Sequence, residues 1–206
     1  MQLNLVGLFL LRAVVWFAAW LFVWYHLGSL ITLPVSIVTK SVVALFFPSW
    51  AEGVEQSEAT LTLLTSLAVP GMVGVPTGQV AVFSPEVGFL KYGYGLPLLT
   101  ALLFASDARY LFTKVAIGAV ALLPFQVLGV CFDWLKQLAI ETEAVSFSPM
   151  AREFIAFGYQ FANLVLPALV PVLLWAVMDQ RFLVSFLMEA TLVEGSVSDS
   201  GCPKGR

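Results

Sequence analysis

Apolar residues run along this chain in long unbroken blocks, and polar residues gather between them. A bilayer hydrocarbon core of about 30 Å needs ~20 residues of helix. Four blocks can meet that need: about Ala13 to Leu33, Phe89 to Ser106, Val115 to Leu135, and Phe154 to Met178. The second carries Gly93, Gly95 and Pro97 in its first half, with Lys91 able to snorkel at its outer end. Pro34–Phe47 is a further apolar run holding only Lys40, and its length suits an interfacial or re-entrant segment.

The polar insert 48–86 has a different rhythm. It holds Glu52, Glu55, Glu58 and Glu86 and no Lys or Arg. Thr60–Val69 begins with polar/apolar alternation and is rich in strand formers, Pro70 to Gly78 break the chain, and Gln79–Phe83 supplies a second strand. The pattern predicts a β-hairpin, marginal alone in water and so leaning on the bilayer, the chain's own loops or a partner. The predicted fold is an all-α integral membrane protein of about four transmembrane helices with a small extracytoplasmic β-hairpin-like insert between the first and second. Residues 1–47 form the first span and the interfacial segment, 48–86 the insert, 87–182 the three remaining spans, and 183–206 a disordered polar cytoplasmic tail.

Composition agrees. Hydrophobic residues make up 60% of the chain and charged ones 11%, against about 25% charged in soluble domains, so the apolar surplus faces lipid. The net charge of −3 and the lack of a basic stripe argue against a nucleic-acid partner. Cys131 and Cys202 imply no disulfide framework. The first apolar run exceeds a signal-peptide core of about 7–15 residues and lacks an A-x-A site, so an uncleaved anchor is expected. Four spans would put Arg12, Arg109, Lys114, Arg181, Lys204 and Arg206 on one side and Lys40, Lys91, Lys136 and Arg152 on the other. That excess places both termini in the cytoplasm.

Polar residues inside the spans are the candidate chemistry, because hydrocarbon makes them costly. At about 1.5 Å per residue, Gln126 lies ~16 Å from the inner end of its span and Asn163 ~13 Å from the outer end of the next. The matching depths permit an interhelical hydrogen bond, worth about 0.6 kcal/mol on average; Gln160 and Tyr159, one turn away, could extend the contact. A packing clasp is favoured over a ligand or conduction site. Asp133, near an outer end, faces the same way as Gln126, and Lys136 at i+3 can pair with it at the surface; a docking contact for another membrane protein is the alternative. Tyr92 and Tyr94, in the Phe89–Leu103 block, complete the structural and interaction candidates.

Pro97, Pro124, Pro167 and Pro171 fall in the three later spans, where they kink helices. No inverted repeat or buried charge pair accompanies them to suggest a transporter. Trp16, Trp20 and Trp24 recur at i, i+4, i+8, a packing or partner face. His26 and Cys131 lie at compatible depths for a thiol–base pair, but no third residue supports one, and a Cys in an apolar helix is usually filler. No phosphate-binding loop, metal-ligand cluster or nucleophile elbow is present, and no cofactor or catalytic residue is assigned.

The blocks YGYGLPLL, LPFQVLGVCFDWLKQLA and FGYQFANLVLPALVPVLLW resemble those of the exosortase H-associated membrane proteins of Gram-negative bacteria, over Arg12 to about Phe182. The resemblance implies a small, multi-pass inner-membrane protein accompanying an exosortase, a transpeptidase-like membrane enzyme that recognises C-terminal sorting signals on exported proteins. Exosortases use a Cys, Arg, His set, and no arginine here matches it, so the chain is not read as an exosortase. The expected function is a non-enzymatic accessory that contacts the bilayer and an exosortase or its exported substrate. The insert (Thr60–Phe83) and the outer loop (Glu141–Arg152) would face the partner. The rivals are a membrane cysteine hydrolase using Cys131 and His26, and a small transporter with a site beside Gln126, Gln160 and Asn163.

Overall fold

The structure, a computed structural model, describes residues 5–69, 81–141, 146–185 and 188. The first apolar block forms two helices, α1 (Leu5–His26) and α2 (Gly28–Phe46). Leu27, with φ −96° and ψ 12°, breaks their axis while hydrogen bonds to Val23 and from Ile31 continue through it. The boundary expected at Pro34 therefore falls seven residues earlier, and Pro34 is accommodated within α2. Gly28 lets the chain pass close to its neighbours, since a Cβ there would come within 3.1 Å of Leu90 and 3.4 Å of Ala59.

The insert that follows α2 is a three-stranded antiparallel sheet in the order β1 (Ala51–Ser57), β2 (Thr60–Thr65), β5 (Glu86–Gly88). A separate two-residue ladder joins β3 (Ala68–Val69) to β4 (Ala81–Val82). The hairpin expected between Thr60–Val69 and Gln79–Phe83 survives only as that ladder; residues 70–80 lie outside the described residues. The main partner of β2 is the acidic segment β1, joined through a two-residue turn in which Glu58 takes φ 52°. Strand alternation puts Val54 opposite Leu63 and Leu61 opposite Val87, and all four are buried.

After the sheet come α3 (Leu90–Gly93), α4 (Gly95–Ala105), α5 (Leu111–Lys136), α6 (Pro149–Gln160) and α7 (Leu166–Met178). Gln137–Glu141 and Phe161–Val165 are π-helical turns. The second has a local cause. Pro167 cannot donate to the carbonyl of Asn163 and its ring crowds that turn, and the chain widens so that Leu166 N–H bonds Phe161 O instead. Ser148 caps α6 by accepting from Ala151 N–H at 3.3 Å, with Pro149 in the first turn.

This is a membrane protein. Among the described residues four helices are long and apolar enough to cross a bilayer: Val6–His26, Gly28–Phe46, Leu111–Ile140 and Pro149–Met178. Leu90–Ala105 is apolar but shorter, and it runs antiparallel to α1 over matched depths. Arg12 meets Asp107 at 2.9 Å at one end, Trp16 and Trp20 pack on Phe104 midway, and Gly28 meets Leu90 at the other end. Two apolar cores result. One joins α2, the sheet and the second half of α5; the other joins α1, α4, the first half of α5 and α7.

Candidate functional site

Where the sheet meets the bundle, a polar cluster is built on Asp133 of α5. Its side chain is only 4% exposed. Lys91, at the start of α3, forms an ion pair with it. Tyr92 O–H donates to Asp133 Oδ2 at 3.0 Å, and Gln137 Nε2 donates to Oδ1 at 3.3 Å and to the Glu86 carbonyl of β5 at 3.0 Å. The Tyr92 ring lies over Gly129, where a Cβ would sit 2.4 Å from Tyr92 Cδ1. Thus one carboxylate, with all its charge met, ties together β5, α3 and α5. α6 joins through Tyr159, whose ring has Lys136 Nζ at 4.4 Å and Lys91 Nζ at 5.8 Å. Burial of the carboxylate is tolerable because an ion pair and two hydrogen bonds replace water.

The structure thus gathers Tyr92, Asp133, Lys136 and Tyr159 from the sequence candidates, with one change of partner: Asp133 pairs with Lys91, and Lys136 lies over Tyr159. Lys136 carries its ammonium to the Tyr159 ring of α6, and α3 delivers Lys91 to the carboxylate directly. Lys91 and Gln137 were not legible as site residues from local spacing. A signal exists at longer range, since Lys91 and Asp133 fall at the beginning of one apolar segment and the end of the next.

The other candidates separate. Gln126 is buried beside Tyr92, Gly95, Leu166 and Pro167; Asn163 is half-buried and Gln160 exposed. No hydrogen bond joins Gln126 to Asn163 among the described residues, so the expected clasp is replaced by close packing. A Cβ on Gly95 would meet Pro171 at 2.9 Å and the Pro167 carbonyl at 3.0 Å. Tyr94 is half-buried at the joint of α3 and α4. Cys131 lines an apolar cavity of about 350 Å³ with Val38, Val42, Phe46, Pro124 and Phe132, and His26 is not part of that lining. His26 instead lies exposed against the rings of Phe22 and Tyr25. Among the described residues no group of three or more His, Cys, Asp or Glu could hold a metal.

A second feature of this end is a groove of about 620 Å³ between α2 and β1, lined in part by Ser36, Lys40, Glu55, Gln56 and Glu58. Gln56 Nε2 donates to the carbonyls of Ser29 and Glu58, both at 2.9 Å, while its Oε1 is buried with no hydrogen-bond partner.

No curated protein and no solved structure matches the chain. A model of the exosortase H-associated membrane proteins matches residues 3–182, a span that takes in all four long helices, the sheet and the Asp133 cluster. The chain therefore belongs to the exosortase H-associated membrane protein family.

Proposed function

We propose that this protein is a non-enzymatic accessory of an exosortase-type sorting system in the bacterial inner membrane, binding the enzyme or its exported substrate through the sheet end of the bundle. The family match over residues 3–182 carries the reading. The structure adds support at that end: an edge strand, β1, beside a groove lined in part by two carboxylates and Lys40. These are groups that meet an extended peptide or a loop. Its first test is affinity purification of the tagged chain from native membranes in mild detergent. A stoichiometric exosortase or exported substrate supports the reading, and a chain that emerges alone counts against it. Replacing 70–80 with a Gly/Ser linker, which spares β1, β2 and β5, then asks whether that part of the insert contributes.

In the same reading, α1, α3–α4, α5 and α6–α7 cross the bilayer and α2 seats the sheet at its outer face. β1 runs the length of α2: Gln56 bonds Ser29 at one end, and Ala51 N–H bonds Phe47 O at the other. If α2 crossed, it would carry Glu52, Glu55 and an open sheet edge through hydrocarbon, where unpaired backbone is not tolerated. Both termini are then cytoplasmic, as the basic residues favour. A reporter active only outside the cytoplasm should work when inserted within 70–80 and fail at the C-terminus.

A wholly apolar setting for Cys131, apart from its own thiol, disfavours the hydrolase rival. Cys131→Ala and His26→Ala should each leave substrate processing at the wild-type level; loss in either would revive that rival.

A further inference from the structure

The bundle end opposite the sheet carries a different site. A cavity of about 440 Å³ opens between the start of α5 and the end of α7, lined in part by Arg109, Tyr110, Lys114, Asp179, Gln180 and Arg181. Its one carboxylate is already answered. Lys114 Nζ stands 3.5 Å from Asp179 Oδ1, and Ser106 O–H donates to Oδ2 at 2.6 Å. Arg109 and Arg181 are both exposed, and neither has a carboxylate partner among the described residues. The cavity is left with two uncompensated guanidinium groups, which match phosphate oxygens in planar, bidentate fashion.

Position strengthens the charge argument. Arg109 and Tyr110 immediately precede α5, a helix of 26 residues, so its N-terminal N–H groups and positive dipole end open on the same side. Tyr110 takes a left-handed conformation, φ 57°, at this turn. Asp179 to Arg181 follow the last residue of α7. Both apolar helices end here, which puts the cavity at headgroup depth when they cross a bilayer. Tyr110 and Phe112, 78% and 83% exposed, flank it as interfacial aromatics do.

We propose that this cavity binds a phosphate oxyanion, with the headgroup of an anionic phospholipid as its occupant. The assignment is independent of any exosortase partner. Its test is native mass spectrometry of the full chain released from neutral-detergent micelles titrated with phosphatidylglycerol, with inorganic phosphate as a separate competitor. At about 1 kcal/mol per basic residue near an anionic surface, Arg109→Gln or Arg181→Gln should weaken lipid retention about fivefold and the pair about thirtyfold. Both side chains are exposed, so thermal unfolding of the variants should match the wild type. Arg12→Gln removes a cation from the same end, one already paired with Asp107, and should leave retention unchanged. Wild-type retention in the double variant, or an equal loss in Arg12→Gln, would overturn the site. Displacement of the lipid by inorganic phosphate at equal concentration would make the occupant a soluble phosphate and overturn the lipid assignment.

Discussion

The two apolar cores of this protein hold together by different means. At the sheet end, Val54, Leu61, Leu63 and Val87 from strands meet Val35 and Val43 of α2 and Val127, Val130 and Trp134 of α5, around the buried Asp133 cluster. At the opposite end Leu99, Leu103, Leu122, Leu166, Val170 and Trp175 come from helices alone. There the polar network of Ser106, Lys114, Asp179 and Trp175 Nε1 sits at the helix ends. The difference follows from the solvent. A strand needs paired edges and gains from taking leucine out of water, so its core can bear a costly carboxylate that fixes the sheet in one place. Helices in lipid gain little by exchanging lipid for leucine, so close approach at small residues and prolines supplies the cohesion instead.

That contrast can be broken by five single substitutions, each followed by denaturant unfolding in micelles. Lys91→Met should be the most damaging. It leaves a carboxylate 4% exposed without its counter-ion, a change that costs about 3–5 kcal/mol. Adding Asp133→Leu should restore much of the loss, because the stranded charge goes with it. If Lys91→Met proved as mild as Arg12→Gln, the Asp133 cluster would not be what seats the sheet.

Glycine substitutions come next and should differ between the cores. Gly129→Ala drives a Cβ to 2.4 Å from the Tyr92 ring, which its hydrogen bond to Asp133 holds in place, and should cost about 1–3 kcal/mol. Gly118→Ala at the other end meets the terminal Cδ2 of Leu99 at 2.2 Å, a methyl that can rotate aside, so its cost should be the smaller of the two. Equal losses would show the Leu99 site to be as rigid as the Tyr92 site. Ser106→Ala removes a donor to Asp179 and an acceptor for Trp175 Nε1, and a loss of about 1–2 kcal/mol is expected. The smallest effect belongs to Arg12→Gln, an ion pair with side chains 46% and 81% exposed, where less than about 1 kcal/mol should change.

Much of the bundle is legible in the chain itself. Continuous apolar blocks locate α1, α3–α4, α5 and α6–α7, and the prolines mark kinks in the later helices, while the close approach of α4 and α7 at Gly95 appears only in the structure. The strand at Thr60–Thr65 shows in its alternation of threonine and leucine. Its true partner does not, because Ala51–Ser57 is a glutamate- and glycine-bearing segment with weak strand propensity. Its place in the sheet comes from backbone pairing and from Val54 facing Leu63. Position 34 misled for a related reason: a proline within a helix is as compatible with a tolerated kink as with an end, and the break at Leu27 has no sequence marker except the glycine after it.

The sequence alone therefore determined what each segment dissolves in. Apolar length marked the segments able to enter lipid, and the acidic, turn-rich stretch marked the insert as the polar interruption between them, because those preferences are properties of local composition. Tertiary structure decided who pairs with whom. Asp133 takes Lys91, 42 positions away, over Lys136 one turn along its own helix. Gln126 packs on prolines instead of bonding Asn163, and two exposed arginines border one cavity. Those outcomes depend on helix rotation and on contacts between distant segments, to which the hydropathy of a single stretch is blind.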